Sequence, residues 1–154
     1  FIYSHQNHFQ DDIVPKSVDN FIKLCTGDNE HNFSYKNTNI HFIKEGFVVQ
    51  GGDVTGENGE SGHSAYSSRY FEDENFVLQH IERGVLSMVN NGVHRNNSQF
   101  FISLAPLPHL DGRNVSIGRV VDGIDVLESI EKSFTVDLKP MNTITITDCG
   151  LEEQ

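Results

Sequence analysis

The chain has 154 residues and a formal net charge of -11. Its length fits one domain, residues 1–154, able to bury a core without staples. Its sign argues against nucleic acid or an anionic membrane as the main partner. No apolar run reaches membrane-spanning length and no signal peptide is visible, so a membrane protein is not expected. Few stretches have helical period, and the thirteen glycines suit a turn-rich, all-β chain.

In chain order, Phe1 to Ser4 reads as a strand, followed by a polar loop through Asp12. Pro15 suits the first turn of a helix, where its missing N–H costs nothing. Val18, Phe21, Ile22 and Cys25 follow at helical spacing, with Gly27 as the cap. Residues 28–39 are polar and read as a surface loop. Ile40–Ile43 and Phe47–Gln50 read as strands around a turn at Lys44–Glu45–Gly46. Gly51–Gly52 ends the second strand and lets the backbone approach a neighbour closely. Asp53 to Gly62 is a glycine-rich loop resembling a calcium loop only faintly. Its twelfth position is Ser64, which offers no bidentate acid.

The most informative stretch is Gly84 to Ile102, GVLSMVNNGVHRNNSQFFI. Two short apolar runs, Val85–Val89 and Gln99–Ile102, flank a polar turn holding Asn90, Asn91, Gly92, Arg95, Asn96, Asn97 and Ser98. A shallow apolar pocket rimmed by amide donors suits an extended peptide, and an ordinary hairpin with a polar loop is the simpler alternative. Further on, Pro106, Pro108, Asp111 and Gly112 mark an exposed loop and Val115–Val121 alternates into a strand. Ile124–Lys132 reads as a helix with Ile124, Leu127 and Ile130 on one face, and Thr143–Thr147 as the last strand. Cys25 and Cys149 have no metal spacing and read as reduced core residues. The scattered histidines, His80 among them, form no ligand pattern, so neither a metal nor a cofactor is expected.

The stretch SMVNNGVHRNNSQFFI resembles the cyclophilin segment that runs Ser-Met-Ala-Asn, a polar loop, then Ser-Gln-Phe-Phe. Other blocks match in order: Val14–Pro15–Lys16 with Asn20–Phe21, Gly46–Phe47 with Gln50–Gly51–Gly52–Asp53, Phe71 to Phe76, Leu110–Asp111–Gly112, and Ile146 to Gly150. The similarity covers residues 13 to 151. It implies a mainly β fold, an eight-stranded antiparallel barrel capped by two α-helices and packed solid. The opening leaves room for little more than one strand where the family has two, so either a first strand lost from this chain or disordered, which is the preferred reading, or a barrel that closes differently is expected.

The resemblance implies peptidyl-prolyl cis-trans isomerisation, rotation about the amide preceding proline, whose barrier is ~18–20 kcal/mol. No bond breaks, so a proline seat plus donors that favour the twisted amide suffice. The positions matching the family's apolar floor are Phe47, Val48, Phe101 and Leu110; Val48 stands where a methionine is usual. Gln50, Asn90 and Gln99 match its polar rim. The residues alone favour ordinary core for Phe47, Phe101 and Leu110, and surface amides for Gln50 and Gln99.

Three departures matter. Phe42 occupies the position of the family's catalytic arginine, Asn114 that of a pocket histidine, and His109 that of a tryptophan that holds cyclosporin. Weakened catalysis and weak cyclosporin binding are therefore expected, with Arg95 and Arg113 as the only alternative guanidiniums near the site. The competing readings are a divergent isomerase of low activity, an inactive module binding proline-containing peptides or proteins, and a scaffold with a filled pocket. The chain is expected to act as a monomer. Sequons at Asn32, Asn96 and Asn114, two of them beside the implied pocket, favour a cytoplasmic or nuclear location.

Overall fold

The computed structural model describes residues 3–4 and 10–152. Of the strand expected at Phe1–Ser4 only Tyr3–Ser4 (β1) is therefore seen, and the loop carrying His5 and His8 lies outside the described residues.

The first helix, α1, spans Pro15–Thr26, with proline in its first turn and Gly27 in the left-handed conformation (φ +76°) at its C-cap, as the sequence predicts. Val14 offers no side-chain cap. Instead the Glu74 carboxylate accepts the Lys16 and Ser17 N–H groups at 2.9 Å each and the Ser17 hydroxyl at 2.8 Å. Val18, Phe21, Leu24 and Cys25 are the buried apolar face.

Five strands form one antiparallel sheet in the order β2-β3-β5-β4-β6: β2 Phe42–Lys44, β3 Val48–Gly51, β4 Val85–Asn90, β5 Asn96–Ser103 and β6 Ser116–Arg119. Alternation sorts their residues between two faces. Ile43, Val49, Ile102 and Leu86 are cross-strand neighbours on the inner face and join Phe21, Leu24 and Phe100 in the main core. Phe42, Gln50, Phe101 and Ser87 form the corresponding row on the outer face.

Strand β5 is longer than expected. Asn96, Asn97 and Ser98, predicted as turn residues, lie in it and are at most 2% exposed. The cause is a bulge: Met88 pairs with Phe100 but Asn90 with Asn96, so β5 carries two extra residues there. The carbonyls this releases are taken by buried side chains, Asn20 Nδ2 donating to Asn97 O (3.0 Å) and Tyr35 Oη to Ser98 O (2.6 Å). Asn97 Oδ1 accepts the Gln99 N–H at 2.9 Å. Gly52 (φ +88°) closes the space below; a Cβ there would come within 2.7 Å of Ser98 O and 2.8 Å of the Phe100 ring.

The second helix, α2, spans Ile124–Glu131, but of its expected face only Leu127 is fully buried. A hairpin absent from the sequence reading follows, β7 Thr135–Val136 and β8 Lys139–Pro140. Its two loop residues, Asp137 (φ 51°) and Leu138 (φ 66°), are both left-handed, as twist-matched two-residue loops require. The expected strand Thr143–Thr147 is not a continuous ladder. Only Thr145 bridges, to Asn39, while three backbone hydrogen bonds, from Ile40 N–H to Ile144 O, from Asn37 N–H to Ile146 O and from Ile146 N–H to Thr38 O, hold the segment in place. The last strand, β9, is Gly150–Leu151, paired in parallel with β1. The molecule is thus mainly β with two helices, as the implied barrel requires. Among the described residues the strands fall into three sheets rather than one closed one.

An apolar cavity of about 350 Å³ opens on the inner side of the sheet, between β6, α2 and residues 144–149. Cys25 and Cys149 both line it. Both are free, and Cys149 Sγ donates to Cys25 O at 3.2 Å.

Candidate functional site

On the outer face Val48, Phe101 and Leu107 are buried, and the half-buried Phe42, Phe47, Val89 and Leu110 pack against them. Two runs of chain built from sequence-distant parts make this cluster. The β2–β3 turn carries Phe42, Phe47 and Val48, and the 3₁₀ turn Pro108–Leu110 carries His109 and Leu110. Strand β5 supplies Phe101 between them. Five of the predicted site residues, Phe42, Phe47, Val48, Phe101 and Leu110, are therefore in one apolar cluster. Val89 and Leu107 belong to it too, and neither was singled out, because one apolar residue in a run carries no mark of which face it will take.

Phe42 faces this cluster. It pairs with Gln50, and Gln50 pairs in turn with Phe101, so the ring stands two strands from Phe101 in the same row. His109 stacks on Phe47 with ring centroids 5.6 Å apart and 16° between planes, and Lys44 Nζ lies 5.3 Å from the same ring. Phe101 is only 3% exposed, so the floor of the cluster is covered. The groups bordering it at the surface are the half-buried ones, Phe42, Phe47, Val89 and Leu110.

The amides behave differently from one another. Gln50 is half-buried, and among the described residues its side chain makes no hydrogen bond. Gln99 is buried, and its Nε2 donates to Gly59 O at 2.8 Å and Ser61 O at 2.7 Å. Asn90 Nδ2 donates to Arg113 O at 2.7 Å, and Asn114 Nδ2 to Met88 O at 3.0 Å. These two amides fasten the end of β4 to the 111–115 loop. Arg95 and Arg113 are exposed, and no ion pair holds either guanidinium among the described residues.

The loop that Gln99 grips is organised by Asp53, which is 2% exposed. Its carboxylate accepts the N–H groups of Thr55, Gly56, Gly59 and Ser61 and the Ser61 hydroxyl. Burial pushes the Asp53 carboxyl up, but the Ser61, Thr55 and Gly56 bonds outweigh it and hold the group below its ordinary value. The loop that faintly resembles a calcium site is thus closed on its own acid. No group of three or more His, Cys, Asp or Glu able to hold a metal occurs among the described residues. Against this loop lies His41, whose ring fills the place a Cβ on Gly59 would need. Burial lowers its pKa, with the Asp53 charge opposing.

One residue passed over in the sequence sits at the centre. His80, 1% exposed, stacks on Phe101 with centroids 5.7 Å apart at 20°. Its partners lie 7 and 31 residues away in sequence, so no local pattern marks it.

Residues 6–151 match the family model of the cyclophilin type peptidyl-prolyl cis-trans isomerase/CLD domain. The chain is a member of the cyclophilin family. Its β-rich fold with two helices agrees with that membership. Isomerisation of peptidyl-prolyl bonds and binding of proline-containing peptides are what a cyclophilin domain does. This cyclophilin has no helix long and apolar enough to cross a membrane among its described residues.

Proposed function

We propose that this cyclophilin seats proline-containing peptides on the Phe101 cluster and turns the prolyl bond over slowly, because an aromatic ring stands at Phe42. The observation that carries this reading is the packing of Phe42 into the cluster, in the outer-face row with Gln50 and Phe101. Twisting the amide breaks its resonance and leaves the prolyl nitrogen a better acceptor. A phenyl ring has no donor to offer it. Loss of one preorganised donor costs ~2.7–4 kcal/mol, or roughly 10²–10³ in rate. Gln50, Asn90 and Gln99 serve as the polar rim in this reading, with Gln50 the amide free to meet a peptide. Phe47, Val48, Leu110, His109 and Asn114 border the seat. Arg95 and Arg113 are exposed and held by no ion pair among the described residues, so neither is a preorganised donor.

The test is Phe42→Arg in a proline-tetrapeptide isomerisation assay. A rise of kcat/KM by about 10²-fold or more over the native protein is expected. Native activity already equal to that of Phe42→Arg would overturn the reading.

A second reading is favoured by the 3% exposure of Phe101, a scaffold whose seat is closed at rest. Phe42→Ala separates the two. If it binds a proline peptide while the native protein gives no NMR shifts at Gln99 or Phe101, the scaffold reading stands. Weak cyclosporin binding follows from His109, whose ring is committed to Phe47. A monomer working in the cytoplasm or nucleus completes the proposal. Support for the location is that Asn96 is fully buried and Asn114 is tied to Met88, so glycans there would disrupt the site. Finding the full-length tagged protein in the secretory pathway would contradict it.

A further inference from the structure

His80, Ser87 and Asp111 stand in a line beneath the cluster. His80 Nδ1 lies 2.9 Å from Asp111 Oδ1, His80 Nε2 lies 2.9 Å from Ser87 Oγ, and Ser87 Oγ lies 3.0 Å from Val115 O. These are the spacings of a hydrolytic Asp–His–Ser relay. A nucleophilic role is excluded, however, because Ser87 is 0% exposed and is directly cross-strand from Phe101. What the line does is mechanical. The Asp111 carboxylate only accepts, so it fixes a proton on Nδ1; the same oxygen accepts the His80 backbone N–H at 2.8 Å. The His80 carbonyl accepts the Leu107 N–H at 2.8 Å. One buried residue thus holds both ends of the turn bearing His109 and Leu110, is anchored to β4 through Ser87, and lays its ring against Phe101.

We propose that His80 is the positioning residue of this site, setting the plane of the Phe101 ring and the height of the 108–110 turn above it. Two apolar walls on separate stretches of chain make a proline seat only if their separation is fixed, and His80 is the residue that reaches both. The proposal rests on the peptide-binding reading above for its ligand, but its structural half does not.

The test uses the full chain with Phe101 labelled on its ring, observed by NMR with and without a proline tetrapeptide. His80→Phe keeps the stack and its backbone bonds to Asp111 and Leu107 but loses both side-chain tethers, to Asp111 and Ser87; Asp111→Ala removes the carboxylate that holds both the ring and the His80 N–H, and Asp111→Asn restores an acceptor. Expected are sharp Phe101 signals in the native protein and Asp111→Asn, and exchange-broadened signals in His80→Phe and Asp111→Ala. Peptide affinity should fall about tenfold in the latter two, a decade in Kd, and recover in Asp111→Asn. If folded His80→Phe and Asp111→Ala keep native ring signals, the proposal is overturned. If the native protein does not bind the peptide, the binding reading fails instead, and the ring signals of the free protein still decide the role of His80. Should His80→Phe not fold, Asp111→Ala against Asp111→Asn decides it alone.

Discussion

Asp53 shows how a single residue can organise a loop. Its folded pKa lies below the unfolded value near 4, so by linkage it contributes stability above that value. The contribution is lost as pH falls through the lower folded pKa. Protection of the Gly56, Gly59 and Ser61 amides, taken relative to their intrinsic exchange rates, should therefore fall as pH drops below about 4, ahead of global unfolding. Asp53→Asn should exchange fast at neutral pH and respond little to acid. His41 acts in the same direction at higher pH: burial depresses its pKa, so its contribution is present above about 6.5 and declines below it. At this scale the sequence was half legible. Phe42 and Phe101 share a face because strand alternation puts them there. Asn96, Asn97 and Ser98 read as turn residues because amides and hydroxyls usually meet water. Here a bulge sends them inward, where Asn20 and Tyr35 satisfy the released backbone.

Among the elements, α1 begins without a cap of its own and borrows Glu74 from 58 residues away. Glu74→Ala should cost about 0.5–2 kcal/mol, measured by urea denaturation, the range for removing an N-cap acceptor. The β7–β8 hairpin is held against the site's edge strand, since Ile43 N–H donates to Leu138 O at 2.8 Å. That bond keeps a branched residue in a left-handed conformation that disfavours it. Leu138→Gly should raise stability by roughly 0.5–1 kcal/mol while leaving the β2 edge intact, which a denaturation midpoint and the Ile43 amide signal would show. Pattern revealed α1 and β6 because each carries a clear period, and β4 because it is a short apolar run between polar stretches. It missed the hairpin because two-residue ladders are too short for one, and its turn lacks the Asn-Gly signature. It misassigned Thr143–Thr147 because alternation reports a half-buried extended chain, whether or not a full ladder forms beside it.

For the whole molecule, the charge of -11 acts at a distance on any charged ligand. Association of a proline peptide flanked by lysines should slow as salt rises from 0.01 to 0.15 M, where the screening length falls from about 30 to 8 Å. Association of a peptide flanked by aspartates should quicken, and stopped-flow fluorescence reads both. Fold class and family were legible at this scale because ordered blocks span almost the whole chain. The resting state of the seat was not, since no string of letters states how far a ring is covered. That covering has a kinetic consequence. If the floor under Phe101 is hidden most of the time, ligand capture must wait for an opening, and the observed rate will level off at high peptide concentration instead of climbing in proportion. The apparent Kd will then exceed the intrinsic one by the inverse of the fraction open, so a substitution that merely wedges the entrance tightens binding without adding a single contact.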